Sequence, residues 1–144
     1  GGGGGGSRLV ITLKEVRPGT VLTFNVGAGG AKNANSSQCG ADGGNTTLSY
    51  GGYDFVAGGG EGNVGGATIP SCSDDGTGGA GDCDSYGDCT STAGNNGTAK
   101  HNNSTQAGGA ALGDSAGAGG QGSNNDNTPD QNMADGGNGK VIIS

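Results

Sequence analysis

Apolar and polar residues alternate in two stretches near the start of this chain, residues 8–16 and residues 21–26. A period of two residues is typical of a β-strand with one buried face. Residues 17–20 (RPGT) lie between the two stretches and supply a turn, because proline presets φ and glycine accepts a positive φ. The pattern therefore predicts a β-hairpin over residues 8–26 with one apolar side.

The far end of the chain carries a third apolar stretch, residues 140–143 (KVII). We expect it to form a strand that joins the hairpin in a small sheet. The residues expected to carry the packing of this sheet are Leu9, Ile11, Leu13, Leu22, Phe24, Val26, Val141 and Ile143.

Between the hairpin and the last strand the chain is low in complexity and has no apolar run at helical spacing, so no α-helix is predicted. Glycines recur three residues apart, as at Gly59, Gly62 and Gly65 and at Gly117 and Gly120. An extended left-handed polyglycine II helix has three residues per turn. Glycine at every third position would leave a bare face on which neighbouring backbones approach and bond to one another.

Composition changes how this pattern is interpreted. Glycine provides 38 of 144 residues, whereas Leu, Ile, Val, Phe and Met together provide 19. Such a composition by itself predicts disorder, so an ordered chain must be held by backbone bonds. The predicted fold class is all-β and irregular, a bundle of polyglycine II helices with a small β-sheet and no α-helix. The predicted single domain, 1–144, divides into a glycine arm (1–7), the hairpin (8–26), a glycine-rich region (27–139) and a closing strand (140–144).

A second apolar cluster is expected in the middle of the chain, formed by Tyr50, Tyr53, Phe55 and Ile69. Packing is the favoured role of these side chains, and a platform for stacking sugars is the alternative.

The charge balance excludes some partners. The formal net charge is −7, and the six Lys and Arg residues are scattered. Nucleic acid and anionic membrane surfaces are therefore not expected as partners, because both require clustered positive charge. Apolar runs reach only three residues, far short of the roughly 20 that span a bilayer, so membrane insertion is not predicted either. The chain begins inside a glycine run, which we interpret as a processed product or a fragment.

The cysteines point to an oxidising compartment. Four cysteines in a small chain with few large apolar residues favour two disulfides and an extracellular location, with the pairing of Cys39, Cys72, Cys83 and Cys89 left open. Free thiols and a metal site are the alternatives. Sequons fit a secreted glycoprotein. The candidate glycosylation sites are Asn35, Asn45, Asn96, Asn102 and Asn103.

Catalytic chemistry finds little support in the sequence. His101 is the one histidine, and it lies in a polar run where a solvated loop residue is the expected role. No phosphate-binding loop, zinc-protease motif or nucleophile elbow is present, so no enzyme and no cofactor are predicted. A weak calcium site is one possible exception. Asp82, Asp84 and Asp88 place oxygens ahead of and behind a glycine turn, although Tyr86 and Ala93 depart from the EF-hand pattern.

Several motifs follow one another in a recognisable order. Residues 18–30 (PGTVLTFNVGAGG) lead into glycine-rich sequence, followed by residues 43–48 (GGNTTL), residues 56–60 (VAGGG) and the closing residues 139–143 (GKVII). This series resembles the glycine-rich domain found in bacteriophage tail fibres and related extracellular surface proteins. The resemblance implies a stack of polyglycine II helices beside a small β element, in a non-enzymatic fibre or adhesin. Between residues 69 and 132 the chain departs from that pattern.

Taken together, these features predict a self-associating structural subunit of an extracellular fibre or filament, in secreted form or on a virion surface. Exposed strand edges and a thin core favour assembly between copies, and the arm at residues 1–6 is expected to dock into a neighbouring copy. One alternative is an adhesin at a tail-fibre tip, with loops in residues 70–135 contacting a cell-surface glycan or protein. A more distant alternative is an ice-binding protein.

Overall fold

The structure is a computed structural model, and it describes residues 3–31, 40–62, 76–98, 107–112, 117, 119 and 135–142. Within these ranges the chain forms six short β-strands and no helix. The strands are β1 (Arg8–Ile11), β2 (Thr23–Asn25), β3 (Thr46–Tyr50), β4 (Tyr53–Ala57), β5 (Gly81–Asp82) and β6 (Cys89–Thr92). The predicted class, irregular and all-β without α-helix, is confirmed for this part of the chain.

The strands form two antiparallel sheets. One sheet has two strands in the order β1-β6, and the other has four in the order β2-β3-β4-β5. In the first, Arg8 lies opposite Thr92 and Ile11 opposite Cys89. In the second, Phe24 lies opposite Leu48, which lies opposite Phe55 on the next strand.

The predicted pairing within residues 8–26 is wrong, because β1 and β2 lie in different sheets. The expected turn does form, with the Thr20 N–H donating to the Arg17 carbonyl at 3.0 Å and φ of Gly19 at 88°. The stretch after β1 is held elsewhere, however, since the Thr12 N–H donates to the Asp88 carbonyl at 2.9 Å. Residues 12–22 therefore cross between the two sheets.

The middle of the chain contains a hairpin that the strand prediction missed. Strands β3 and β4 are joined by Gly51 and Gly52, whose φ angles are 59° and 85°. Positive φ at both central residues is the requirement of a type I′ turn, the turn best matched to the twist of paired strands. The sequence does contain a signal for this hairpin, which is the glycine pair between the two strand-like runs TTLSY and YDFVA.

The predicted closing strand is not formed in residues 140–142, and Ile143 lies outside the described residues. This end of the chain is held by the residue before it, because the Gly139 N–H donates to the Gly27 carbonyl at 2.8 Å. Val141 is half-buried. No helix long and apolar enough to cross a membrane occurs in the described ranges.

The interior is built mainly from glycine. Phe55, 1% exposed, is the one buried large apolar residue that the described part of the chain contains. Every other buried residue described is a glycine, namely Gly3, Gly4, Gly5, Gly27, Gly60, Gly62, Gly76, Gly79, Gly97 and Gly109. The protein therefore buries main chain where most domains bury side chains.

The glycine-rich segments extend the order of the larger sheet. Strands β2 and β4 continue into residues 27–31 and 58–62, and strands β3 and β5 are preceded by residues 40–44 and 76–80. Main-chain hydrogen bonds join 27–31 to 40–44, 40–44 to 58–62, and 58–62 to 76–80. Residues 3–6 lead into β1 and residues 94–97 follow β6, and these two segments are also bonded to each other. We call these six segments, with residues 107–110 and 135–139, the glycine region.

Candidate functional site

Residues 3–6, here called the central segment, donate hydrogen bonds in successively different directions. The N–H of Gly4 reaches the carbonyl of Glu61 at 2.8 Å, that of Gly5 reaches Asn95 at 2.7 Å, and that of Gly6 reaches Gly117 at 2.6 Å. The carbonyls of residues 3 and 5 accept from two further segments, at Gly109 and Gly79. One short run of glycines thus bonds to five other parts of the chain.

Residues 3–6, part of the arm expected to dock into a neighbouring copy, bond within their own chain in this structure, and docking into another copy stays a prediction. The central segment is occupied within its own chain, and Gly3, Gly4 and Gly5 are buried. A glycine tract has no side chains to keep other backbones away, so it fits where several segments converge. Removal of residues 1–6 is therefore expected to destabilise the monomer.

A repeat of three residues runs through the glycine region. In five places, two N–H groups three residues apart donate to two carbonyls three residues apart on one neighbouring segment, in antiparallel order. The five pairs are Gly4 and Ser7 to Glu61 and Gly58; Ala41 and Gly44 to Ala31 and Ala28; Gly58 and Glu61 to Ala80 and Thr77; Gly94 and Gly97 to Gly79 and Gly76; and Gly136 and Gly139 to Gly30 and Gly27. A β-ladder repeats every two residues, so these segments bond by another pattern.

Close approach of backbones explains why glycine is required here. A Cβ added at Gly4 would overlap the carbonyl of Thr77, and one added at Gly60 would overlap the carbonyl of Gly4. The obstructing atoms belong to the main chain, which cannot move aside as a flexible side chain does. Glycine at these positions is therefore a steric requirement of the packing.

Side-chain oxygens satisfy further N–H groups of the glycine region. Asp42 and Asn45 accept from Gly62 at 2.7 Å and from Gly59 at 3.1 Å, so the three-residue repeat continues through side chains. At two other places Asn96 accepts from Gly78 at 2.8 Å, and Asn138 accepts from Gly29 at 2.7 Å. We call these four residues the Asx caps.

The role of the Asx caps was not predicted from the sequence. The available signal was the spacing of Asp42 and Asn45, which lie three residues apart on either side of two glycines. Short Asp and Asn side chains readily bond to nearby backbone, and here they bond to a neighbouring segment.

An aromatic cluster joins β4 to the loop between β5 and β6. The rings of Tyr53 and Tyr86 meet edge to face with centroids 5.0 Å apart, and those of Phe55 and Tyr86 do so at 5.3 Å. Of the four residues expected in this cluster, Tyr53 and Phe55 lie together, and Tyr86 joins them as a member that the sequence did not predict. Ile69 lies outside the described residues. The Tyr50 hydroxyl donates to the Lys14 carbonyl at 3.3 Å.

A disulfide between Cys83 and Cys89 closes the loop that carries Tyr86. The Tyr86 hydroxyl donates to the Thr12 carbonyl and accepts from the Lys14 N–H, each at 3.3 Å. The closed loop thereby holds the stretch that follows β1. One disulfide of the expected kind is therefore present, whereas Cys39 and Cys72 lie outside the described residues.

The three carboxylates proposed for calcium are separately engaged. Asp82 accepts from the Asp84 N–H at 2.9 Å, and Asp84 accepts from the Asp54 N–H at 2.8 Å. Asp88 pairs with the Lys14 ammonium at 2.7 Å. The described residues contain no group of three or more His, Cys, Asp or Glu that could hold a metal ion. The calcium site stays a prediction that the geometry does not favour.

Among the described residues, Lys14 is the one whose pKa is clearly shifted, and the cause is its pairing with Asp88. The hydrogen bond from the Lys14 ammonium to the Asp88 carboxylate, followed by their charge attraction, raises the pKa of Lys14 above its usual 10.5. Both side chains are well exposed, so solvent screens the pair.

Of the remaining predicted positions, two lie in the described part of the chain and four lie outside it. Asn45 and Asn96 are exposed sequon residues whose side-chain oxygens serve as Asx caps. Asn35, Asn102, Asn103 and His101 lie outside the described residues, so glycosylation there stays a prediction.

Exposure of the expected packing residues is uneven. Leu9, Ile11, Leu13 and Leu22 are half-buried. Phe24 and Val26 are 43% and 46% exposed, so they are covered less than the other expected packing residues that the structure describes. Both lie on or beside β2, an outer strand of its sheet, beyond which the described part of the chain has no further strand.

These features define a class of protein in which small antiparallel sheets cap a region held by glycine backbone. The family model described as a glycine-rich domain matches residues 1–144, the whole sequence. The chain therefore belongs to the glycine-rich domain family. Neither the curated proteins nor the solved structures contain a significant match to it.

Proposed function

We propose that this protein is a non-enzymatic structural subunit of an extracellular fibre or filament that associates with copies of itself. The single observation that carries the proposal is the glycine-cored interior, in which buried backbones bond to one another with a three-residue repeat. Rigid, extended backbone bundles suit load-bearing and spacing roles. They provide few places for the converging side chains that catalysis requires.

We further propose that the glycine segments are polyglycine II helices. Three residues complete one turn of such a helix, so N–H groups three apart point to the same neighbour. The five paired donor sets of the glycine region support this assignment, and so do the different directions of the Gly4, Gly5 and Gly6 N–H groups.

An extracellular location is part of the proposal. The Cys83–Cys89 disulfide is compatible with an oxidising compartment, and the resemblance to tail-fibre domains is the reason to include a virion surface. The adhesin and ice-binding alternatives receive no specific support, because much of residues 70–135 lies outside the described part of the chain.

Electron microscopy of the purified chain over a range of concentrations, before and after thiol reduction, tests the proposed role. Regular filaments that lengthen with concentration are the expected result, and their loss on reduction would tie assembly to the cystines. Particles of monomer size at every concentration, before and after reduction, would contradict the structural-subunit role.

A further inference from the structure

Strand β2 is an outer edge of the larger sheet, and no other strand of the described ranges pairs with its free side. It pairs with β3 on one side, and β3 continues to β4 and β5. Within the described ranges, Thr23, Phe24 and Asn25 make no hydrogen bond other than the ladder with β3. An outermost strand has main-chain groups on its outer side that can template another strand.

The apolar face of this sheet continues to that edge. Antiparallel register aligns Phe55, Leu48 and Phe24 in one row across three strands. Exposure rises along the row, from 1% at Phe55, through half-buried Leu48, to 43% at Phe24. The edge also carries two exposed valines, Val21 at 81% and Val26 at 46%. The row ends where another strand would cover it.

Strand β2 and the residues on either side of it carry no charge. Residues 18–31 contain no Asp, Glu, Lys or Arg, although the chain carries a net charge of −7. Natural edge strands are usually protected by charged side chains, proline or bulges. The opposite edge, β5, is two residues long and includes Asp82. Two copies of this acidic chain can therefore pair at β2 without bringing charged side chains of the strand itself together.

In the glycine region, by contrast with strand β2, several N–H groups already have side-chain hydrogen-bond acceptors. The Asx caps already occupy the N–H groups of Gly29, Gly59, Gly62 and Gly78, which would otherwise be free to bond to another backbone. Association through these groups would first have to displace side-chain acceptors. Strand β2 needs no such displacement.

We propose that a second copy of this chain docks on β2 and pairs β2 with β2 in antiparallel order around a twofold axis at Phe24. Such a contact is self-complementary, as a twofold interface requires. Thr23 of each copy lies opposite Asn25 of the other, and the two Phe24 rings meet at the axis. The apolar row then runs unbroken through both sheets. This inference rests on the proposed self-association and names one surface of it, because a twofold contact closes at two copies and a filament needs a second, separate contact.

Charge substitution at the axis tests this pairing in the full-length chain. In Phe24→Lys, and equally in Phe24→Glu, two like charges would face each other across the axis. We expect sedimentation equilibrium to show dimerisation of the parent, weakened roughly tenfold or more in each variant. An equal mixture of the two variants should associate again, because opposite charges then meet. Val16→Lys, a change at a valine 49% exposed outside the strands, should dimerise like the parent.

The mixture keeps the test independent of folding, since two misfolded variants would not restore each other's association. Unchanged dimerisation of both Phe24 variants would overturn the pairing, and so would two folded monomeric variants that fail to associate when mixed. If the parent assembles regardless of the charge at position 24, only this surface is wrong. A parent that stays monomeric at every concentration would overturn both this inference and the proposed function.

Discussion

The glycine region and the strand region of this protein achieve order by different means. In the glycine region the buried atoms are main chain, the contacts are N–H to carbonyl bonds, and the pattern repeats every three residues. In the strand region the pattern repeats every two residues, and one phenylalanine, two tyrosines and a disulfide supply the packing. The packing of the glycine region depends on how closely its backbones approach one another. The packing of the strand region depends on how well its side chains fill the space between the strands.

This difference bears on tolerance to change. Glycine loses more conformational freedom on folding than any other residue, so the order of the central segment depends on the hydrogen bonds that its main chain makes. The N–H groups of Gly4, Gly5 and Gly6 each donate one, at 2.6–2.8 Å. Side chains in the strand region have rotamers with which to adjust, whereas a buried glycine backbone has none. Substitutions should therefore be more damaging in the glycine region.

The largest expected effect is that of Gly4→Ala. The new methyl group would overlap the Thr77 carbonyl, and the segments around residue 4 are fixed by their own hydrogen bonds. We expect a loss of at least about 3 kcal/mol in the free energy of unfolding, measured by denaturant titration. Gly87→Ala is the matched control, because nothing lies within 4 Å of its added Cβ. Equal effects at the two positions would contradict the steric account.

A smaller but still large effect is expected for Phe55→Ala in the strand region. The side chain is 1% exposed and its ring contacts Tyr86. Its removal should lower the free energy of unfolding by about 3 kcal/mol, and Phe55→Leu should lower it by less, because leucine refills part of the space. If Phe55→Ala destabilised the chain more than Gly4→Ala does, the ranking of the two regions would be reversed.

Loss of the Cys83–Cys89 disulfide comes next. Replacing both cysteines with serine should lower the free energy of unfolding by about 2 kcal/mol, because the bridge closes a short loop. Amide hydrogen exchange should quicken at Thr12 and Lys14, which that loop holds, and change little in the central segment. Faster exchange throughout the glycine region would show that the two regions do not unfold separately.

The smallest effect concerns the Lys14–Asp88 pair. Because Asp88 raises the pKa of Lys14 in the folded chain, the pair stabilises the fold below the ordinary lysine pKa of 10.5. That contribution is lost as pH rises through the raised folded pKa. An NMR titration should find the pKa of Lys14 above 10.5 and lower in Asp88→Asn. An unchanged pKa in Asp88→Asn would mean that the carboxylate is not its cause.

Local sequence determined the elements whose signals are short in range. Alternation at residues 8–11 and 23–25 identified β1 and β2, the proline-glycine turn at residues 17–20 formed as expected, and the absence of helical spacing excluded helices from the described ranges. The glycine pair at residues 51 and 52 held equally local information about a third turn. Glycine spacing also indicated that backbones approach closely. Each of these signals depends on residues that are neighbours in the chain.

Tertiary structure alone decided which elements meet. Strand β1 pairs with β6, about 80 residues away, and the central segment bonds to carbonyls as distant as that of Gly117. Glycine has no side chain that could specify a partner. A glycine-rich sequence therefore indicates that a segment can pack closely, but it does not indicate which segment it packs against. Which segments pair depends on how many main-chain N–H and carbonyl groups are hydrogen-bonded in the complete fold. Composition and spacing therefore determined that glycine backbone would form the interior, and only the complete fold decided which segments it would join.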